Sequence, residues 1–161
     1  MKRIIDLMLV LAFTAVVLPS CGDKNDTSDA DFSFKSGDVV ITPNSDAGPV
    51  IEALGDYVSY DESASCAFEG LDKVYKYNGF EILTYPKDSK DYIYTVTLLN
   101  DLVSTPEGVS VGMSRNKVIE VYGENYTSQG EGIYYSSENS QLQFIFRDGN
   151  VSSIKYQAVL K

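Results

Sequence analysis

The chain has 161 residues and is acidic, with 23 Asp and Glu against 13 Lys and Arg, and it contains neither histidine nor tryptophan. Without histidine it lacks the commonest general base and the commonest transition-metal ligand, and a net charge of −10 repels nucleic acid. Two cysteines, Cys21 and Cys66, are the only thiols.

The chain opens with the basic stretch Met1-Lys2-Arg3, and an apolar run follows over residues 7–18. That run has the length of a signal-peptide core and is shorter than the roughly 20 residues of a spanning helix. It ends in Leu18-Pro19-Ser20-Cys21-Gly22, which resembles the lipobox of bacterial lipoproteins. The resemblance implies a signal peptide over 1–20 and a Cys21 that carries diacylglycerol through a thioether and becomes the new N-terminus. Acyl chains of the palmitate kind, at about 0.8 kcal/mol per buried methylene, make a durable anchor. The competing reading is an ordinary cleaved signal peptide with an incidental cysteine. Cleavage removes Lys2, Arg3 and Asp6, leaving 11 basic and 22 acidic residues.

Residues 21–31 are polar, acidic and without apolar periodicity, which reads as a flexible tether. Phe32-Ser33-Phe34 and Asp38-Val39-Val40-Ile41-Thr42 then read as strands around a Ser-Gly turn. Asp46 is placed to cap a helix with Val50, Ile51 and Leu54 on one face, ended by Gly55. Strands are expected at 73–77, 80–85 and 92–99. Asn78-Gly79 signals a type I′ hairpin, and 86–91 reads as a polar loop. A second helix begins after Ser114, carries Val118, Ile119 and Tyr122, and ends at Gly123. Strands at 132–136, 141–147 and 151–156 follow, with a turn at Asp148-Gly149.

The two halves align without gaps around the helices at an offset of 68 residues: Ile41 with Val109, Asp46 with Ser114, Val50-Ile51-Glu52 with Val118-Ile119-Glu120, and Gly55 with Gly123. The expected fold class is therefore α+β. It comprises two tandem repeats, over 32–101 and 102–161, each a short helix packed on an antiparallel meander of three to four strands. One half alone would be marginal in stability. The residues leave open whether the two units share one sheet.

The phrase Glu107-Gly108-Val109-Ser110-Val111-Gly112-Met113-Ser114, continued by Val118-Ile119 and Tyr122-Gly123, resembles tandem-repeat domains with the fold of the β-lactamase inhibitory protein. The same unit is found in small outer-membrane assembly lipoproteins. The segment Ser65-Cys66-Ala67-Phe68-Glu69-Gly70-Leu71-Asp72-Lys73 resembles one in uncharacterised lipoproteins of gut Firmicutes. Together these span nearly all of residues 32–156. They imply helices on one face of a curved antiparallel sheet and an open, concave opposite face. In the inhibitory protein that face grips an enzyme loop. No contact residues match here, so β-lactamase inhibition is not transferred.

Cys66 has no histidine to activate it and reads as a small buried or half-buried thiol rather than a nucleophile or redox thiol. Glu69 and Asp72 could pair as acid and base, but a solvated turn before a strand accounts for them. No cofactor, metal or catalytic constellation is read. Among 12 tyrosines, Tyr75 and Tyr77 share a face of one strand, and Tyr92 and Tyr94 share a face of another. Tyr134 and Tyr135 must point to opposite faces. These six are the candidate binding surface: one such set on the open face would form an aromatic platform suited to protein, peptide or glycan contact, and the competing reading has the tyrosines half-buried against helices and loops. The functional expectation is an extracytoplasmic protein, lipid-anchored to the cell membrane, acting as a non-enzymatic module that binds a protein or cell-envelope ligand. An assembly accessory of a membrane complex is the second reading, and a small hydrolase the third.

Overall fold

The structure is a computed structural model describing residues 30–161; the expected signal peptide, Cys21 and the tether as far as residue 29 lie outside the described residues. Both helices form where their caps lie. α1 (Ala47–Leu54) starts with the Asp46 carboxylate accepting from the Gly48 N–H at 3.1 Å, and the Gly55 N–H closes it on the Ile51 carbonyl. α2 (Arg115–Tyr122) starts with the Ser114 hydroxyl oxygen accepting from the Lys117 N–H and ends at Gly123 in the same way. Gly55 and Gly123 have φ of 72° and 80°, a region that favours glycine.

A small hairpin pairs β1 (Phe34–Ser36) with β2 (Val39–Ile41). After α1 comes a four-stranded meander of β3 (Ser59–Ala64), β4 (Leu71–Lys76), β5 (Phe80–Lys87) and β6 (Lys90–Leu98). After α2 comes another, of β7 (Thr127–Gln129), β8 (Gly132–Ser136), β9 (Ser140–Arg147) and β10 (Asn150–Ala158). The last strands of the two meanders pair with each other, Ile154 opposite Leu98 and Tyr156 opposite Val96. One antiparallel sheet results, in the order β3-β4-β5-β6-β10-β9-β8-β7. The fold is α+β, mostly antiparallel sheet with two helices.

The loops that lead into the helices dock on the sheet alike. The Asn44 N–H donates to the Ile93 carbonyl at 2.7 Å, and the Ile93 N–H donates to the Ser45 carbonyl. In the second half the Gly112 N–H donates to the Val151 carbonyl at 2.8 Å, and the Val151 N–H donates to the Met113 carbonyl. Asn44 and Gly112 both have positive φ.

Alternation assigns each sheet residue to a face. Ile82, Ile93, Val96, Leu98, Ile133, Leu142, Phe144 and Ile154 point to the helix side and are fully buried, with Phe34, Ile41, Val109 and Val118 packed among them. The core is thus one continuous layer between the sheet and the elements α1, α2 and β1–β2.

Several details depart from the sequence expectation, among them the first strand, which is Phe34–Ser36 and not residues 32–34. The edge strands β3 and β7 were not foreseen, because every residue in them is exposed and no apolar alternation marks them. The expected 86–91 loop is strand apart from the two-residue turn Asp88-Ser89, whose residues both take positive φ. The Asn78-Gly79 turn is not type I′, since only Gly79 has positive φ. Asp31, expected in the tether, is fastened: its carboxylate accepts from the Ser137 hydroxyl at 2.9 Å and from the Asn139 backbone N–H at 3.2 Å.

Because the core is shared, Phe144→Ala is expected to destabilise the whole body by about 3–5 kcal/mol in a single unfolding transition. Far-UV circular dichroism and tyrosine fluorescence should give the same denaturant midpoint. Separate midpoints for the two meanders would contradict a common core. Ser114→Ala, which removes the α2 cap, should cost about 1 kcal/mol by the same measurement.

Candidate functional site

The sheet face opposite the helices carries half-exposed polar and aromatic side chains. At its centre the Gln143 amide donates to the Gln141 and Gln157 side-chain oxygens, both at 2.9 Å, and the Gln157 amide donates to the Tyr94 hydroxyl at 3.3 Å. These groups sit on three neighbouring strands, Gln141 opposite Gln157 and Gln143 opposite Lys155 in register. The network ties side chains of three strands together while leaving acceptors available to a ligand.

Towards the β5–β6 turn this face becomes aromatic. The β5–β6 register steps from Leu83↔Thr95 to Thr84↔Ile93, which leaves Tyr94 as the extra residue of a β-bulge. The bulge brings both Tyr92 and Tyr94 to Tyr85: the Tyr92 ring lies 5.9 Å from it, and the Tyr94 ring meets it edge-on at 6.1 Å. Tyr85 is only 4% exposed. Its hydroxyl donates to the Asn44 side-chain oxygen, and burial pushes its phenol above the ordinary range.

A turn at residues 65–70 covers Tyr85. The Ser65 N–H donates to the Gly70 carbonyl at 3.0 Å, and the Ser65 hydroxyl oxygen accepts from the Phe68 N–H at 3.3 Å. Gly70 is required here: its φ is +128°, and a Cβ would lie 3.0 Å from Pro86. This close approach lays the Phe68 ring on Tyr85, centroids 4.9 Å apart.

Cavities open around this pair. One of ≈ 130 Å³ is lined by Ser65, Ala67, Phe68, Asp72, Leu83, Tyr85, Tyr94 and Leu160. A wetter one of ≈ 390 Å³ adjoins it through Phe68, Tyr85 and Leu160, with Asn44, Lys87, Asn139 and Lys161 in its wall. A third, of ≈ 510 Å³, extends from Tyr85 past Tyr92 to Asp31. Tyr85 is common to all three. Asp46, the cap of α1, pairs with Lys90 of β6 at 2.7 Å. The hydrogen bond from Lys90 holds the Asp46 carboxyl below its usual range and raises the Lys90 amine.

The six tyrosines singled out in the sequence divide between the faces. Tyr92, Tyr94 and Tyr134 lie on the open face. Tyr134 lies on β8 opposite Gln143, its ring over Gly132, where a Cβ would lie 2.7 Å from the hydroxyl. Tyr77 is 8% exposed and stacks on Phe80, and Tyr75 packs against the core and meets the exposed rings of Tyr57 and Tyr60. Tyr135 is 4% exposed and donates to the Gly123 carbonyl at 2.8 Å. These three point to the helix side and are closed to a ligand on the open face. Sequence reasoning did not single out Phe68 or Tyr85 as site residues, although both lay in segments it described.

Cys66 is exposed, not half-buried, because Phe68 is the residue of its turn that packs inward. Glu69 and Asp72 line different cavities and do not converge as an acid–base pair. Among the described residues no group of three or more His, Cys, Asp or Glu side chains is arranged to hold a metal ion. No helix among them is long and apolar enough to cross a membrane.

No family model matches the chain, and no curated protein matches it either. Among solved structures the chain is similar to an extracellular protein containing an SCP domain from Bacillus anthracis strain Ames, at 12% identity and a TM-score of 0.51. The similarity covers 83% of this chain and 49% of that one; the chain spans about half the length of that protein. At this identity the likeness is one of fold.

Phe68→Ala should strip the cover from Tyr85. Since burial raises that phenol, its ionisation is expected at lower pH in the variant than in the wild type, read from tyrosinate absorbance with a Tyr85→Phe difference titration. An unchanged ionisation would mean that Phe68 does not shield Tyr85.

Proposed function

We propose that this chain is an extracytoplasmic lipoprotein, anchored to the cell membrane through Cys21, whose folded body is a non-enzymatic binding module for a protein or cell-envelope ligand. The observation that carries this reading is the open sheet face, where a hydrogen-bonded glutamine and tyrosine network runs into an aromatic groove around Tyr85. Half-exposed amides and phenols combine contact area with hydrogen-bonding capacity at little loss of side-chain freedom. The groove also lies beside the point where the chain enters the fold, since Asp31, Tyr85 and Tyr92 line one cavity. A tether from Cys21 to Asp31 reaches roughly 35 Å when extended, which keeps the groove close to a lipid surface.

The body is read as two copies of one unit, over 32–101 and 102–161. Supporting this, the docking bonds of Asn44 and Ser45 to Ile93 recur at Gly112 and Met113 with Val151; the loop residues keep the 68-residue offset of the sequence alignment, while the sheet residues they meet do not. Each helix is then followed by a four-stranded meander.

Cys21→Ala should move the protein from the membrane fraction to the soluble fraction and abolish globomycin-sensitive processing; continued membrane retention would refute lipid anchoring. The binding reading is tested by capture from the native cell envelope with residues 30–161 as bait. Gln143→Arg and Gln157→Arg on the open face should lower capture at least tenfold, whereas Lys117→Glu on α2 should leave it unchanged. Equal capture by all variants would refute recognition through this face.

A further inference from the structure

The ≈ 130 Å³ cavity under the 65–70 turn has a chemical character of its own. Three aromatic rings, Phe68, Tyr85 and Tyr94, and the aliphatic Leu83 and Leu160 form most of its wall. The one charged side chain in that wall is Asp72. Its Oδ1 atom is buried and has no hydrogen-bond partner, although a buried carboxylate oxygen left without a donor is costly.

No neighbouring cation supplies that donor. Lys73, next along β4, points to the opposite face and pairs with Asp91 at 2.7 Å. Lys87 and Lys161 line the adjoining cavity rather than this one, and Lys161 pairs with Glu138 at 2.9 Å. The cavity therefore offers an anion in need of a donor, ring surfaces that attract cations, and no resident positive charge. The acidity of the whole chain adds a long-range field of the same sign.

We infer that this cavity binds a primary alkylammonium group, its N–H donating to the Asp72 carboxylate and its alkyl stem lying between Phe68, Tyr85 and Tyr94. A neutral alcohol of the same length could donate one hydrogen bond but would gain neither the charge pairing nor the cation–ring attraction. A trimethylated ammonium would keep the charge but could not donate to the carboxylate. The inference rests on the reading of the open face as a binding surface, and gives that surface a ligand chemistry.

The test is a titration of residues 30–161, which contain every strand and helix described, with n-butylammonium and with n-butanol, followed by NMR. Butylammonium should give saturable shifts at Phe68, Tyr85 and Tyr94 in the millimolar range, with butanol at least tenfold weaker. Asp72→Asn should bring the two probes to within about twofold of each other. Phe68→Ala, in a turn outside the core, should weaken butylammonium at least tenfold and serves as the decisive variant should Asp72→Asn unfold. Equal binding of the two probes by the wild type, no saturable binding, or undiminished butylammonium affinity in either folded variant would overturn the inference. Absence of butylammonium binding alongside intact capture of envelope material would overturn this site alone. Butylammonium binding by a body that captures nothing would overturn the binding-module reading and leave the site standing.

Discussion

The antiparallel seam between β6 and β10 is the constraint on which the rest of the molecule depends. Either meander alone would present one apolar face and a free edge at its longest strand. Pairing Leu98 with Ile154 and Val96 with Tyr156 removes both edges at once and brings four almost fully buried side chains to the middle of one core layer. Backbone hydrogen bonding and apolar burial are satisfied by the same contact. The helices and the β1–β2 hairpin need cover only one side of the sheet, and that division of labour leaves the other side open.

The open side is shaped by departures from regular sheet geometry. A single extra residue in β6 turns Tyr94 towards Tyr85, and a glycine held against Pro86 lets the 65–70 turn fold down over both. Tyr85 ties these parts together: its ring is packed by Phe68, Tyr92 and Tyr94, and its hydroxyl is bound by Asn44 from the loop before α1. The groove is consequently assembled from the first meander, the helix-entry loop and the last residues of the described chain. A substitution at any of these can alter its shape without touching a ligand.

Much of the scaffold could be read from the residues, because its signals are local. Asp46 and Ser114 as caps, Gly55 and Gly123 as stops, and the 3.6-residue spacing of Val118, Ile119 and Tyr122 each act within a turn or two of helix. What stayed hidden is decided by distant partners. The residues of β3, Ser-Tyr-Asp-Glu-Ser-Ala, have no apolar side to display, and they become strand because β4 offers them a hydrogen-bonding edge. Pro86 reads as a breaker, yet it sits in β5 opposite Asp91. Which tyrosines face inward depends on register with the neighbouring strand: Tyr75 lies opposite Ile82 and Tyr135 opposite Leu142, both core positions. The groove could not be located for the same reason, since Phe68, Tyr85 and Leu160 are far apart in the chain and meet only across the sheet.

The two outer strands carry a further consequence. A sheet that ends in unpaired backbone is a template for another copy of itself. One edge here is the three-residue β7, too short to offer a lasting ladder. The other, β3, exposes Asp61 on one face and Glu62 on the other. Two such edges meeting would bring four carboxylates into one seam, where like charges repel. Such edges disfavour pairing with another copy, and the concentration at which the molecule begins to self-associate should be governed by whatever screens those four negative charges.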